Sequence, residues 1–94
     1  MGIPTENYEN GGQIIMWKEG TIGIPKNGGG YTVVHYWAKV YKKKSRYGID
    51  GGRISKATLK INGDVVYNYD RGLDVPPQNE AAETALAILI YEFN

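Results

Sequence analysis

With 94 residues the chain makes one domain, able to bury roughly 60–65% of its unfolded surface and too short to enclose a deep cavity, which argues against a sizeable enzyme pocket. It has no cysteine, which excludes a disulfide framework and thiolate chemistry, and it shows neither a secretory h-region nor an apolar run near the ~18 residues of a membrane span, so the expected setting is cytoplasmic. The net charge of +1 conceals a split: eight basic residues and one acid, Asp50, lie between Lys39 and Lys60, a balance of +7 against −6 elsewhere. Such a split suits an anionic partner, or equally the lysines of a solvated loop and an outward strand face.

Residues 1–12 are poor in apolar side chains and rich in Asn, Gly and Glu; they read as a flexible lead-in to a domain spanning 13–94. Strands are expected near 13–22, where the two faces are not resolved, and near 31–42, the longest β-branched and aromatic run. Between them Pro25 and Asn27-Gly28-Gly29-Gly30 make a turn. Within 31–42, Val34, Tyr36, Ala38 and Val40 form the uncharged and therefore inward face, leaving Tyr31, Val33, His35, Trp37, Lys39 and Tyr41 on the other.

The loop 42–52, with Lys42, Lys43, Lys44 and Arg46 followed by Gly48, Gly51 and Gly52, is long for a hairpin connection, and loops of that length tend to carry function or to be loosely ordered. After Arg53 comes the most determinate stretch. Asn62-Gly63 between alternating runs predicts strands 53–61 and 64–70 joined by a type I′ turn. Uninterrupted pairing would set Leu59 against Val66, Thr58 against Tyr67 and Lys56 against Tyr69. Ala57, Leu59, Ile61 and Val66 would then face the core, and Lys56, Lys60, Val65, Tyr67 and Tyr69 the solvent. The segment 70–77 reads as a turn whose two prolines cannot extend a sheet, with Asp70 as turn former and Arg71 as its ion-pair candidate. A helix near 79–92 follows, capped by Asn79, with Glu80 and Glu83 in its first turn and Ala82, Ala85, Leu86, Leu89 and Phe93 on one stripe. The expected architecture is α+β: a four-stranded antiparallel β-meander with one C-terminal helix packed on one face, ββββα.

Two segments, Tyr47-Gly48-Ile49-Asp50-Gly51-Gly52-Arg53-Ile54-Ser55-Lys56 and Tyr67-Asn68-Tyr69-Asp70-Arg71-Gly72-Leu73-Asp74, with Trp17-Lys18-Glu19-Gly20 before them, resemble a family of short, uncharacterised proteins of Firmicutes and of their phages and mobile elements. The resemblance covers roughly residues 16 to 93 and departs from the family's pattern at Leu73, where a tryptophan is usual. It implies a cytoplasmic, phage or mobile-element setting and carries no activity and no catalytic residue.

The residues themselves give no catalytic constellation. His35 is the single histidine and sits among strand residues, with no nucleophile placed against it. His35, Asp50, Asp70 and Asp74 have no metal-ligand spacing, and the glycines at 48, 51 and 52 feed a strand where a phosphate-cradling loop would feed a helix. No cofactor or metal is expected. What remains is an aromatic and basic surface: Trp37, Lys39, Tyr41, Lys56, Lys60, Tyr67 and Tyr69 on the open sheet face, with Lys43, Lys44, Arg46 and Arg53 in or beside the loop. Exposed Trp and Tyr anchor protein interfaces, so the expected function is a small non-enzymatic interaction module with a protein partner. The alternative is sequence-tolerant single-stranded nucleic-acid binding, with bases stacked on rings and phosphates met by lysines. Homodimerisation through the helix or a sheet edge is compatible with both, and no membrane partner is implied.

Overall fold

A computed structural model gives the architecture; it describes the backbone of residues 5–8 and 14–94 and the side chains from Ile15 onward. Among the described residues, six antiparallel strands lie side by side in chain order: β1 (Thr5–Tyr8), β2 (Ile14–Pro25), β3 (Tyr31–Tyr41), β4 (Ile54–Ile61), β5 (Asp64–Asp70) and β6 (Leu73–Val75). One helix, α1 (Glu80–Phe93), packs across β2, β3 and β4 on one side of the sheet. The four expected strands form the middle of an α+β meander, and a short strand is added at each edge. Part of the lead-in therefore pairs as β1 against β2, whereas 1–4 and 9–12 lie outside the described residues. The prolines at 76 and 77 end β6 without preventing it, because the three residues ahead of them keep their N–H groups.

Asn62 (φ 51°) and Gly63 (φ 82°) make the expected left-handed turn between β4 and β5. Two residues later the expected register fails. Ile61 faces Asp64 and Lys60 faces Val65, but Leu59 then faces Tyr67, Thr58 faces Asn68 and Ala57 faces Tyr69, so Val66 is a surplus residue forming a β-bulge. Strict alternation would leave either Val66 or the two tyrosines outside. The bulge lets all three turn toward α1, and each fully buried side chain of that size contributes roughly 1.5–3 kcal/mol. Tyr67 is only 3% exposed, Val66 is buried and Tyr69 half-buried, with the small Ala57 opposite the Tyr69 ring. The assignment of Tyr67 and Tyr69 to the open face is thus corrected. A second irregularity at Ser55 shifts the β3–β4 register so that Ile54 faces Val40, and the Ser55 hydroxyl donates to the Lys39 carbonyl at 3.4 Å inside it.

The core lies between the sheet and α1. Val34, Ala38 and Val40 are buried as expected, with Ile54, Leu59 and Tyr67 beside them and Ala82, Ala85 and Leu89 above. Asn79 caps the helix by accepting from the Ala82 N–H at 2.9 Å. At the other end of α1, Phe93 meets Tyr36 (centroids 6.1 Å apart), whose ring lies over Gly20 so closely that a Cβ there would fall 2.8 Å from the phenol oxygen.

Candidate functional site

The side of the sheet away from α1 is organised in cross-strand rows fixed by the register. One row runs Trp17, Lys39, Lys56, Asp70; the next Glu19, Trp37, Thr58, Asn68; the next Thr21, His35, Lys60, Val65. The β3–β4 register therefore brings Trp37, Lys39, Tyr41, Lys56 and Lys60 onto one surface, together with His35. Trp17 joins them because β2 continues through Gly23, Ile24 and Pro25 before turning, which sets Trp17 against Lys39.

Cations and rings interleave on this surface. Lys60 sits 5.6 Å from the Trp37 ring centroid, and His35 stacks on the same ring system at 6.2 Å with planes 22° apart. Lys39 is 7% exposed, held between the rings of Trp17 at 5.7 Å and Tyr41 at 5.5 Å. Such contacts are each worth about 0.5–2 kcal/mol, more as water is removed. Lys56 reaches Asp70 at 3.6 Å, so Asp70 pairs across the strands and not with Arg71 as its sequence neighbour. Both partners are substantially exposed, and a surface pair of this kind contributes about 0–1 kcal/mol. Thr58 donates to Asn68 at 2.7 Å, and Asn68 donates to Asp74 at 2.9 Å.

Several apolar side chains are left uncovered beside the exposed Glu19, Thr21 and His35. Trp17 is 45% exposed, Tyr31 65%, Val33 50% and Val65 44%. The sequence places Tyr31 and Val33 on this face but gives no reason to single them out, and the position of Trp17 follows only when the strand is carried through to Pro25.

The loop 42–53 does not belong to the same surface. Ile49 is buried in the core cluster, and the short 3₁₀ turn Ile49–Gly51 is held by Gly52 N–H to Ile49 O at 2.8 Å. Asn94 accepts from the Ile54 N–H at 2.9 Å and donates to the Ile49 carbonyl at 2.8 Å, so the end of the helix fastens the loop. The Tyr69 hydroxyl donates to the Tyr47 carbonyl at 2.9 Å. All three attachments lie on the α1 side. Gly48 and Gly52 cross so tightly that a Cβ on Gly48 would overlap the Gly52 carbonyl, which is the structural reason for glycine there. Arg46 accordingly lies with Tyr47 on this loop, Lys43 and Lys44 are exposed along it, and Arg53 is half-buried at the start of β4.

Burial of Tyr67 pushes its phenol up to about 12, with the neighbouring Tyr69 and the Asp50 carboxylate adding to the rise. Burial, and then Glu92, also raise the Tyr36 phenol. An open cleft of about 640 Å³ lies between the Pro25–Asn27 turn and the start of α1, with Thr32, Glu80 and Thr84 on its walls. Among the described residues no three His, Asp or Glu side chains gather as a metal-holding group, and no helix is long and apolar enough to cross a membrane.

No curated protein matches the chain, and no solved structure does. A family model matches residues 16–94, a span that takes in both of the segments Tyr47–Lys56 and Tyr67–Asp74. By that match the chain belongs to the family described as Domain of unknown function (DUF7678).

Proposed function

We propose that the protein is a small non-enzymatic interaction module that binds a protein partner through the open side of its sheet, in the cytoplasmic phage or mobile-element setting that its sequence resemblance implies. The observation that carries this reading is the set of uncovered apolar side chains that share this face along its length, Trp17, Tyr31, Val33 and Val65, at 44–65% exposure. Aromatic anchors ringed by polar groups of both signs are the composition of a protein interface. Here the row that carries Glu19 and Asn68, the latter bonded to Asp74, lies between the rows that carry Lys60 and the Lys56–Asp70 pair. Exposed valines offer nothing to a phosphate backbone, and the cations on this face already lie over rings or beside a carboxylate. These points favour protein over single-stranded nucleic acid.

The test compares proteins retained from a Firmicute host lysate by the wild type, by Trp17→Ala/Val33→Ser on the open side, and by Tyr91→Ser on the outer face of α1. A partner retained by the wild type and Tyr91→Ser but lost from the double variant, whose unfolding midpoint is unchanged, is the expected result. Identical retention by all three overturns the reading. Salt-sensitive binding of a single-stranded oligonucleotide at about 50 mM salt, lost in the double variant, would transfer the surface to the nucleic-acid alternative.

A further inference from the structure

The basic loop, set apart from the open sheet face, carries an arrangement of its own. Tyr47 has two guanidinium groups against its ring: the central carbon of Arg46 is 5.0 Å from the ring centroid and that of Arg71 is 4.6 Å. Both carbons lie within reach of one centroid, so they are at most 9.6 Å apart. Arg46 also donates to the Tyr47 hydroxyl at 2.9 Å. Among the described residues neither arginine has a carboxylate partner, since the nearest acid in sequence to Arg71, Asp70, is turned to Lys56. Two like charges are thus held against one ring, and among the described residues neither is paired to a carboxylate.

We infer that Arg46 and Arg71, both packed against Tyr47, form a binding site for a phosphate group. Each guanidinium offers a planar fork of N–H donors matched to bidentate contact with an oxyanion. A phosphate carries about −1.5 to −2 charge and three terminal oxygens, enough to engage both forks, whereas a carboxylate fills one. The frame is preformed, which lowers the cost of ordering the site. Arg71 holds a left-handed backbone (φ 59°) with its N–H on the Ser55 carbonyl at 2.9 Å. Tyr47 is fixed by its N–H on the Ser45 hydroxyl at 3.1 Å and by Tyr69 on its carbonyl, and the loop beneath is fastened by Asn94. The exposed run Lys42, Lys43 and Lys44 leads into the same loop and adds to the local positive potential.

The site is independent of the open-face reading, because Trp17→Ala/Val33→Ser leaves it intact. The test titrates the full chain with inorganic phosphate at about pH 8, where the dianion dominates, against sodium chloride and sodium acetate at equal ionic strength, following arginine side-chain N–H resonances by NMR. Saturable shifts at Arg46 and Arg71 but not Arg53 are expected, with acetate weaker. Arg71→Lys and Arg46→Lys, which keep the charge and lose the fork, are expected to weaken phosphate binding about tenfold while the amide spectrum stays folded. Shifts no larger than those in chloride, acetate binding as tight as phosphate, or lysine variants that bind like the wild type would each overturn the proposal. Parallel titrations with a nucleoside monophosphate and with an oligothymidylate lacking terminal phosphates identify the source. Tighter binding of the first supports the site as a terminal-phosphate site, and tighter binding of the second, whose diesters carry one charge and two terminal oxygens each, overturns it.

Discussion

The two sides of this sheet both draw on tyrosine and use it in opposite ways. On the α1 side, large rings settle over the smallest residues: Tyr36 covers Gly20 and Tyr69 faces Ala57. On the open side, rings lie under ammonium groups: Trp37 beneath Lys60, and Trp17 and Tyr41 around Lys39. Residue type therefore says little about role in this chain. Sidedness says a great deal, and in β5 it is decided by the surplus residue at Val66.

If that contrast is right, the largest effect belongs to the covered side. Tyr67→Ala should cost about 3–5 kcal/mol in urea unfolding, as expected for removal of a buried ring, whereas Tyr31→Ser on the open side should stay within about 0.5 kcal/mol. Equal losses would erase the distinction. Gly48→Ala comes next: the added methyl meets a backbone carbonyl that has no side-chain freedom to yield, so a loss of about 1–3 kcal/mol is expected, read from the same unfolding curves.

Alkaline pH sharpens the comparison without disturbing the packing. The folded chain keeps a proton on Tyr67 up to about 12, whereas the unfolded chain releases it near the ordinary value of 10.0. The Tyr67 contribution is therefore intact below pH 10.0 and drains away as pH climbs toward about 12, with a slope of at most about 1.4 kcal/mol per pH unit. Tyr67→Phe should remove that part of the slope. The smallest effect lies on the open side, where a double-mutant cycle between Lys60→Met and Trp37→Leu is expected to yield a coupling of about 0.5–1 kcal/mol. A coupling of zero would reduce the stacked cation to a bystander.

Most of the fold was legible where a local rule was strong. Asn62-Gly63 requires left-handed backbone that few residue pairs tolerate, Asn79 has the side chain an exposed helix start needs, and the alternation of Val34, Ala38 and Val40 permits only one inward face. The candidate surface was legible in β3 and β4 for the same reason. It was misread at Tyr67 and Tyr69 because a bulge leaves no residue signature: its benefit comes from burying Val66, Tyr67 and Tyr69 together, which depends on the distant helix. Trp17 escaped notice because Pro25 reads as a breaker, although at the end of a ladder a proline removes only its own donor. The attachment of the loop was not legible because its fastening by Asn94 spans 40 residues to Ile54 and 45 to Ile49.

The extra residue at Val66 has a consequence for how relatives of this chain diverge. A version one residue shorter between the Asn-Gly reversal and the first phenol would pair without a bulge and still set both rings opposite Leu59 and Ala57, losing only one side chain from the interior. A gap of one residue at this site is thus a change the sheet absorbs with both rings kept inside, and alignments of the family's members are best searched there for it.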